Sequence, residues 1–386
     1  MSGWYLLAAI PVFGLLVFVH ELGHFLTAKW SGIRVEEFGF GFPPRIFGIK
    51  RGETIYSLNW IPLGGFVRMP GENGETTDEN GAYDPHSFAA KPAWRRAIVL
   101  VAGVTMNTLL AFVLFGAAYA SGESGYSPVI QSVCAGSPAD QAGIQPGDKI
   151  VKIDGQNTVL ASEVEQLVQS DISAAPKGTT SVPVQVAFQD PHGNTQTSTI
   201  NARIGDLSST PCKDAGGAII KDKQGNLITG QGPLGIVFDS TVIATRHYPI
   251  AQIPGLAVQQ AGIMLSGFAD LIRSMINGAF NIHQVAGPAG IVRYTGEAAS
   301  LIPQLGWFPL LNLTAFLSLN LAIINILPFP ALDGGRLALL GLEVVRRGKR
   351  LDPRHEGLIH LVGMAVLLLL VVIITWNDIG SWISQR

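Results

Sequence analysis

Four stretches of this chain are too long and too apolar to be ordinary core helices: residues 4–29, 97–120, 307–329 and 358–376. Each can cross a hydrocarbon layer about 30 Å thick as a helix, where every backbone N–H must be satisfied within the segment. Composition agrees. With 386 residues, 47% hydrophobic and 14% charged, the chain exceeds the apolar content of a soluble protein of this length. The expected fold class is therefore a multi-pass α-helical membrane protein with four transmembrane helices and one smaller water-facing part. A net charge of -2 offers no basic surface, so no nucleic-acid partner is expected. The first run lacks a basic start and carries histidines where a signal peptide would be cut, so it is expected to stay in the mature protein.

Basic residues set the expected orientation. Lys29, Arg34, Arg45, Lys50, Arg51, Arg68, Lys91, Arg95 and Arg96 lie between the first two runs. Arg336, Arg346, Arg347, Lys349, Arg350 and Arg354 lie between the last two. The long segment 121–305 carries its basic residues thinly. The short loops are thus expected on the cytoplasmic side, and both termini and the long segment outside. Cys134 and Cys212 both fall in that outer segment, which leaves a disulfide and two free thiols equally open.

Inside the first run stands His20-Glu21-Leu22-Gly23-His24. On a helix His20 and His24 are one turn apart on one face, so both imidazoles can reach a single zinc ion, and Glu21 can take a proton from water at that metal. From Leu6 to Leu26 these three are the only ionisable side chains. Leaving each unpartnered in hydrocarbon costs at least a few kcal/mol, which argues for function over accident.

Between the first two runs, residues 33–69 alternate as strands do, with Gly and Pro interspersed. The stretch 61–67, with Gly64, Gly65 and Phe66, is too apolar for a water-facing turn. It reads as a small membrane-dipping β-sheet whose edge could pair with an extended substrate strand, or as a rigid sheet that packs on the first helix. Residues 71–85 read as a mobile acidic loop tip. In the second run Gly103 and Asn107 share one face; the expected role is helix packing alone.

From residue 122 the character turns polar. Ser137-Pro138-Ala139-Asp140-Gln141-Ala142-Gly143-Ile144-Gln145-Pro146-Gly147-Asp148-Lys149-Ile150-Val151-Lys152-Ile153-Asp154-Gly155 resembles the signature of bacterial PDZ domains. A helix at 162–170 and strands at 182–188 and 195–200 follow, with an added hairpin in 206–232. A PDZ groove takes an extended peptide by strand addition, and a size filter that binds nothing is the other reading. Residues 249–281 are apolar but broken by Pro254, Asp270 and Arg273. Leu256, Met264, Phe268, Leu271, Ile272 and Met275 would line one face of a helix lying on the outer membrane surface, with a fifth span as the competing reading.

The third run ends in Asn320, Asn325, Pro328, Pro330 and Leu332-Asp333-Gly334-Gly335-Arg336. Taken alone, Asp333 reads as the N-cap of a helix over 337–346. Two histidines, however, leave zinc short of the three protein ligands of a catalytic site, and a carboxylate on the same side is the natural third. Asn320 and Asn325 could hydrogen-bond a substrate backbone or polarise its carbonyl, or join helices.

Together, His20 to His24, residues 61–67, one PDZ-like segment, Gly287-Pro288-Ala289-Gly290-Ile291 and Asn325-Ile326-Leu327-Pro328-Phe329-Pro330-Ala331-Leu332-Asp333-Gly334-Gly335 resemble bacterial site-2 proteases over nearly the whole chain. These are intramembrane zinc metalloproteases. The resemblance implies His20, His24 and Asp333 as ligands of one Zn2+ and Glu21 as catalytic base. It places Asn325 near the scissile carbonyl, and Asn320, Gly64, Gly65 and Phe66 in substrate binding. Family members that act on anti-sigma factors often carry two PDZ domains, whereas one is legible here, and Val104 stands where the second span often has Pro.

The expected organisation is an N-terminal membrane half (1–120) with the re-entrant β-loop 33–69, a PDZ-like extracytoplasmic domain (121–248), a membrane-surface amphipathic segment (249–305) and a C-terminal membrane half (306–386). The expected partners are the lipid bilayer of a bacterial inner membrane, single-pass transmembrane substrates and an upstream site-1-type protease. Alternatives are clearance of remnant signal peptides and, in another class, a non-catalytic membrane adaptor presenting the PDZ groove.

Overall fold

The computed structural model describes residues 3–72, 84–176, 178–204, 212, 218–219, 232–278, 287–348 and 353–384. Most of the expected hairpin of 206–232 and most of the acidic loop 71–85 lie outside them. The chain divides into two compact units. One comprises Met1–Ala120, Pro249–Pro303 and Pro309–Arg386; the other comprises Ser121–Tyr248 and Gln304–Phe308.

The first unit begins with a 3-10 turn, Gly3–Ala8, that runs into α1 (Ala9–Trp30). Strands β1 (Glu37–Arg51) and β2 (Thr54–Arg68) follow, then α2 (Ala93–Ser121). The two long strands fold over one another, so that Glu37–Phe40 lies opposite both Ile55–Leu58 and Gly65–Arg68. Gly65–Arg68 is consequently the outer segment, with one backbone edge unpaired among the described residues. Aromatic contacts dock this sheet on α1: Phe38 meets Phe18 and Phe25 with ring centroids 5.8 and 5.1 Å apart. Farther out, Phe42, Phe47, Ile49, Leu58 and Trp60 are exposed, a row that water would disfavour.

The second unit carries β3 (Glu123–Tyr126), β4 (Ile130–Val133), α3 (Pro138–Gln141), β5 (Lys149–Ile153), β6 (Gln156–Asn157) and α4 (Ala161–Ala174). It continues with β7 (Ser181–Gln189), β8 (Thr195–Arg203), β9 (Ile236–Phe238) and β10 (Ile243–Arg246). A four-stranded sheet runs in the order β6-β5-β7-β8, while β4 pairs with β9 and β3 with β10. Its core is aliphatic: Ile150, Ile153, Val164, Val184, Val186 and Ile200 are all but sealed from solvent. Each such side chain contributes about 1.5–3 kcal/mol where water is the alternative. Asp154 and Gly155, both at positive φ, make the tight turn from β5 to β6 that an Asp-Gly pair favours. Cys134 and Cys212 form a disulfide, which settles the alternative that the sequence left open.

The chain continues as α5 (Ile253–Ile276), α6 (Pro288–Ser300), α7 (Ile302–Leu305), α8 (Phe308–Ile326), α9 (Asp333–Val345) and α10 (Pro353–Ser384), all in the first unit except Gln304–Phe308. Among the described residues five helices are long and apolar enough to cross a membrane, one more than the four read from sequence. The added one is Ile250–Ile276. Its buried residues are Ala257 and Ala261, one turn apart, packed in one cluster with Ala111 and Phe115 of α2 and Ala315 and Leu319 of α8. Asp270 and Arg273, which interrupt its apolar pattern, pair with each other at 2.9 Å.

Candidate metal centre

His20 and His24 share a face of α1 and are both buried, with their Nε2 atoms 3.2 Å apart. Asp333 Oδ2 stands 3.1 Å from the first Nε2 and 3.3 Å from the second. Tetrahedral ligands about 2.0–2.1 Å from a zinc ion stand about 3.3 Å from one another, so the three donors already occupy three corners of that figure. Asp333 Oδ2 is buried and makes no hydrogen bond. A carboxylate oxygen left so needs a cation, and the donor set of two imidazoles and one carboxylate suits zinc.

The pocket exists because two helices cross at glycines. A methyl group on Gly23 would stand 2.5 Å from the Ala102 carbonyl oxygen, so α1 and α2 touch backbone to backbone there. At the next residue of α2, a methyl on Gly103 would stand 2.5 Å from His24 Nε2 and 2.7 Å from His20 Cε1. The second helix also orients the imidazoles. His24 donates Nδ1–H to the Val99 carbonyl at 2.8 Å, which leaves Nε2 with its lone pair toward the donor group. His20 Nδ1 lies 3.3 Å from the Asn107 side-chain amide, and Asn107 is itself fixed where Ser318 Oγ–H of α8 donates to its backbone carbonyl at 2.7 Å. The Asn107 atom at that distance is Nδ2, and its Oδ1 is buried without a partner; exchanging the two ends of the amide would let Oδ1 accept Nδ1–H and set the same tautomer in His20.

Asp333 is the first residue of α9, with Leu332 as N-cap, so the helix starts earlier than the expected 337. Glycine explains the difference. Gly334 and Gly335 turn into the helix against the carbonyls of Ile326, Leu327 and Phe329, where any side chain would collide. The helix is then pinned. Arg336 pairs with Glu72 just beyond β2, and Arg96 of α2 makes a two-pronged bridge to Glu343 at 2.9 and 2.6 Å. Leu340 joins the buried cluster of Ala28, Val35, Val99 and Leu100 between them.

Glu21 follows His20 on α1, and Gly65 of the outer strand segment backs onto it: a methyl there would stand 3.0 Å from Glu21 Cγ. Gly64 has φ +109, a conformation L side chains rarely adopt, beside the Phe42 ring. Phe66 turns its ring over Gly39 and stacks under Arg68. Asn320 and Asn325 lie on α8, both partly buried, and no side-chain hydrogen bond engages either among the described residues. The structure thus brings His20, His24, Asp333, Glu21 and Gly65 together, and gives the two asparagines no direct link to them.

A family model described as peptidase family M50 matches residues 8–370. The chain belongs to this family, the site-2 proteases. A protein of Agrobacterium fabrum that carries a provisional zinc-metalloprotease name is 31% identical over 396 residues, covering 98% of this chain and 97% of its own. Zinc metalloprotease RasP of Bacillus licheniformis is 30% identical over 455 residues (97% and 98%), and RasP of Geobacillus kaustophilus 29% over 453 (98% and 98%). This M50 peptidase is therefore a zinc metalloendopeptidase, and its apolar helices make it a membrane protein.

Sequence reasoning undervalued two residues of the M50 site. Gly103 and Asn107 were expected only to pack helices, and here they receive both imidazoles. A glycine and an amide on one face of a second apolar run, facing a run that holds two histidines, was the signal available. Val99 contributes through its carbonyl, which no side-chain pattern encodes.

Proposed function

We propose that this peptidase hydrolyses peptide bonds within transmembrane segments of single-pass membrane proteins, after an earlier cut outside the membrane has shortened them. In this reading His20, His24 and Asp333 hold one zinc ion and Glu21 is the catalytic base. The observation that carries it is the 3.1–3.3 Å triangle of donor atoms around an otherwise unpartnered Asp333 oxygen. Zinc, when bound there, supplies Lewis acidity toward a carbonyl oxygen and toward water. Glu21 takes a proton from the attacking water and delivers it to the leaving amine.

The substrate must first be opened, because a helix hides its peptide bonds in its own hydrogen bonds. Each backbone group freed in lipid costs several kcal/mol. The unpaired edge of Gly65–Arg68 offers partners for those groups beside Glu21, with Gly64 and Phe66 shaping the approach. Asn320 and Asn325, uncommitted on α8, are free to bind the substrate backbone. The exposed apolar tip of the β1–β2 sheet suits a sheet that dips into the bilayer.

In the bacterial inner membrane we place α1, α2, α8 and α10 across the bilayer, with α5 beside the outer halves of α2 and α8. The basic loops then face the cytoplasm and the second unit, a PDZ-like domain, lies outside, where it excludes substrates that keep bulky ectodomains. The test is Glu21→Gln on the purified full-length protein. Zinc content should stay at one per chain while cleavage of a model transmembrane substrate falls by roughly 10²–10⁴-fold; full activity in that variant would remove Glu21 as the base.

A further inference from the structure

Asp333 arrives at the metal group from an irregular connection, residues 327–332, whose N–H groups can be accounted for one by one. Pro328 and Pro330 have none. Leu327 donates to Ile324, Phe329 to Leu327 and Leu332 to Phe329, at 3.1, 2.7 and 3.1 Å. That leaves Ala331, which has φ +79, a left-handed conformation that costs an L residue roughly 1–2 kcal/mol and persists only where the surroundings impose it. Its N–H donates to Nδ1 of His360 on α10 at 3.1 Å. One turn farther along α10, Gly363 is buried against Pro330: a methyl there would stand 2.6 Å from the Pro330 carbonyl oxygen and 2.8 Å from its carbon. His360 and Gly363 thus form one face of α10 that receives the turn two residues before Asp333, and neither enters the chemistry above.

We infer that His360 is a positioning residue: its imidazole lone pair holds Ala331 in the left-handed conformation and so fixes where the Asp333 carboxylate stands. The inference rests on the reading of Asp333 as a zinc ligand. It assigns to the last apolar helix, which carries no polar side chain from residue 361 to 374, a share in the metal site. Partners that orient a metal ligand typically change affinity 10–100-fold when removed.

The test is zinc affinity of the purified full-length protein, measured by competition with a chelator. His360→Phe, which keeps a ring and removes the acceptor, should weaken zinc binding roughly 10–100-fold and lower kcat with KM nearly unchanged. His360→Asn, whose Oδ1 can stand where Nδ1 stood, should recover most of the affinity. In an Asp333→Ala background His360→Phe should add nothing, because its effect runs through that carboxylate. Should the Phe variant fail to fold, Gly363→Ala, which pushes on the same turn and leaves the imidazole intact, carries the same expectation. Unchanged affinity in the Phe variant, an Asn variant as weak as Phe, or an equal further loss without Asp333 would each overturn the assignment. A wild-type protein that binds no zinc would instead remove the metal reading itself.

Discussion

Helices α1 and α10 are both apolar enough to cross a membrane, yet a third of the apolar window of α1 is buried inside the protein and only 6% of that of α10. The contrast is sharper in their polar residues. On α1, His20 and His24 converge on Asp333 and the second helix, and Glu21 lies against Gly65. On α10, His360 and Asp378 each turn to a place where the backbone of another segment lacks a partner. His360 takes the N–H of Ala331, and Asp378 takes those of Gly287 at 3.3 Å and Gly290 at 2.8 Å, at the start of α6. In lipid an apolar helix gains little by burial, so packing and polar contacts decide where it sits. An isolated polar residue in an otherwise featureless span therefore marks the nearest irregular backbone, whereas a cluster marks chemistry.

That comparison can be broken first at the inner crossing. Gly103→Val drives a branched side chain into both imidazoles and should abolish stoichiometric zinc binding, read as metal content after gel filtration. The same change at the lipid side of α10, Leu369→Val, should leave zinc in place, because Leu369 is exposed and unconstrained. Asn107→Leu is expected to act next most strongly, weakening zinc by about 10–100-fold through a freely rotating His20, with chelator competition as the readout. A variant that binds zinc as tightly as the parent would return Asn107 to packing alone.

Asp378→Ala should have a smaller effect of a different kind. Removing a carboxylate that caps a helix start costs about 0.5–2 kcal/mol, seen as a lower thermal unfolding temperature in detergent with the metal site's affinity intact. Loss of zinc in that variant would erase the distinction between the two helices. In the second unit the Tyr248 hydroxyl, partly buried and donating to Glu123 at 2.5 Å, has its pKa raised by burial and by that carboxylate. The unfolded chain then gives up its proton first as pH rises. The stability that this tyrosine provides is fully present below the unfolded value of about 10 and is lost above it, which an alkaline unfolding series checks.

Much of the centre was legible in the sequence because its residues are the wrong ones for where they stand. His20, Glu21 and His24 interrupt an apolar run, and Asp333 follows two prolines at the end of another. The partners of those residues were harder to read. Gly103 and Asn107 look like ordinary packing residues until the crossing at Gly23 sets them against the histidines, a fact of three dimensions. Helix α5 was obscured for a local reason: Asp270 and Arg273 read as a polar face, while in the fold they neutralise one another and Ala257 and Ala261 do the packing. The pairing of Cys134 with Cys212 spans 78 residues and had no local signature at all.

Zinc-edge X-ray absorption on the purified protein, compared with His24→Ala and Asp333→Ala, bears most directly on the proposed ligand set. Two imidazole nitrogens and oxygen donors at about 2.0–2.1 Å are expected in the parent, with one imidazole signature lost in the first variant and the carboxylate contribution in the second. Sulfur neighbours, or a zinc environment that neither substitution changes, would contradict it.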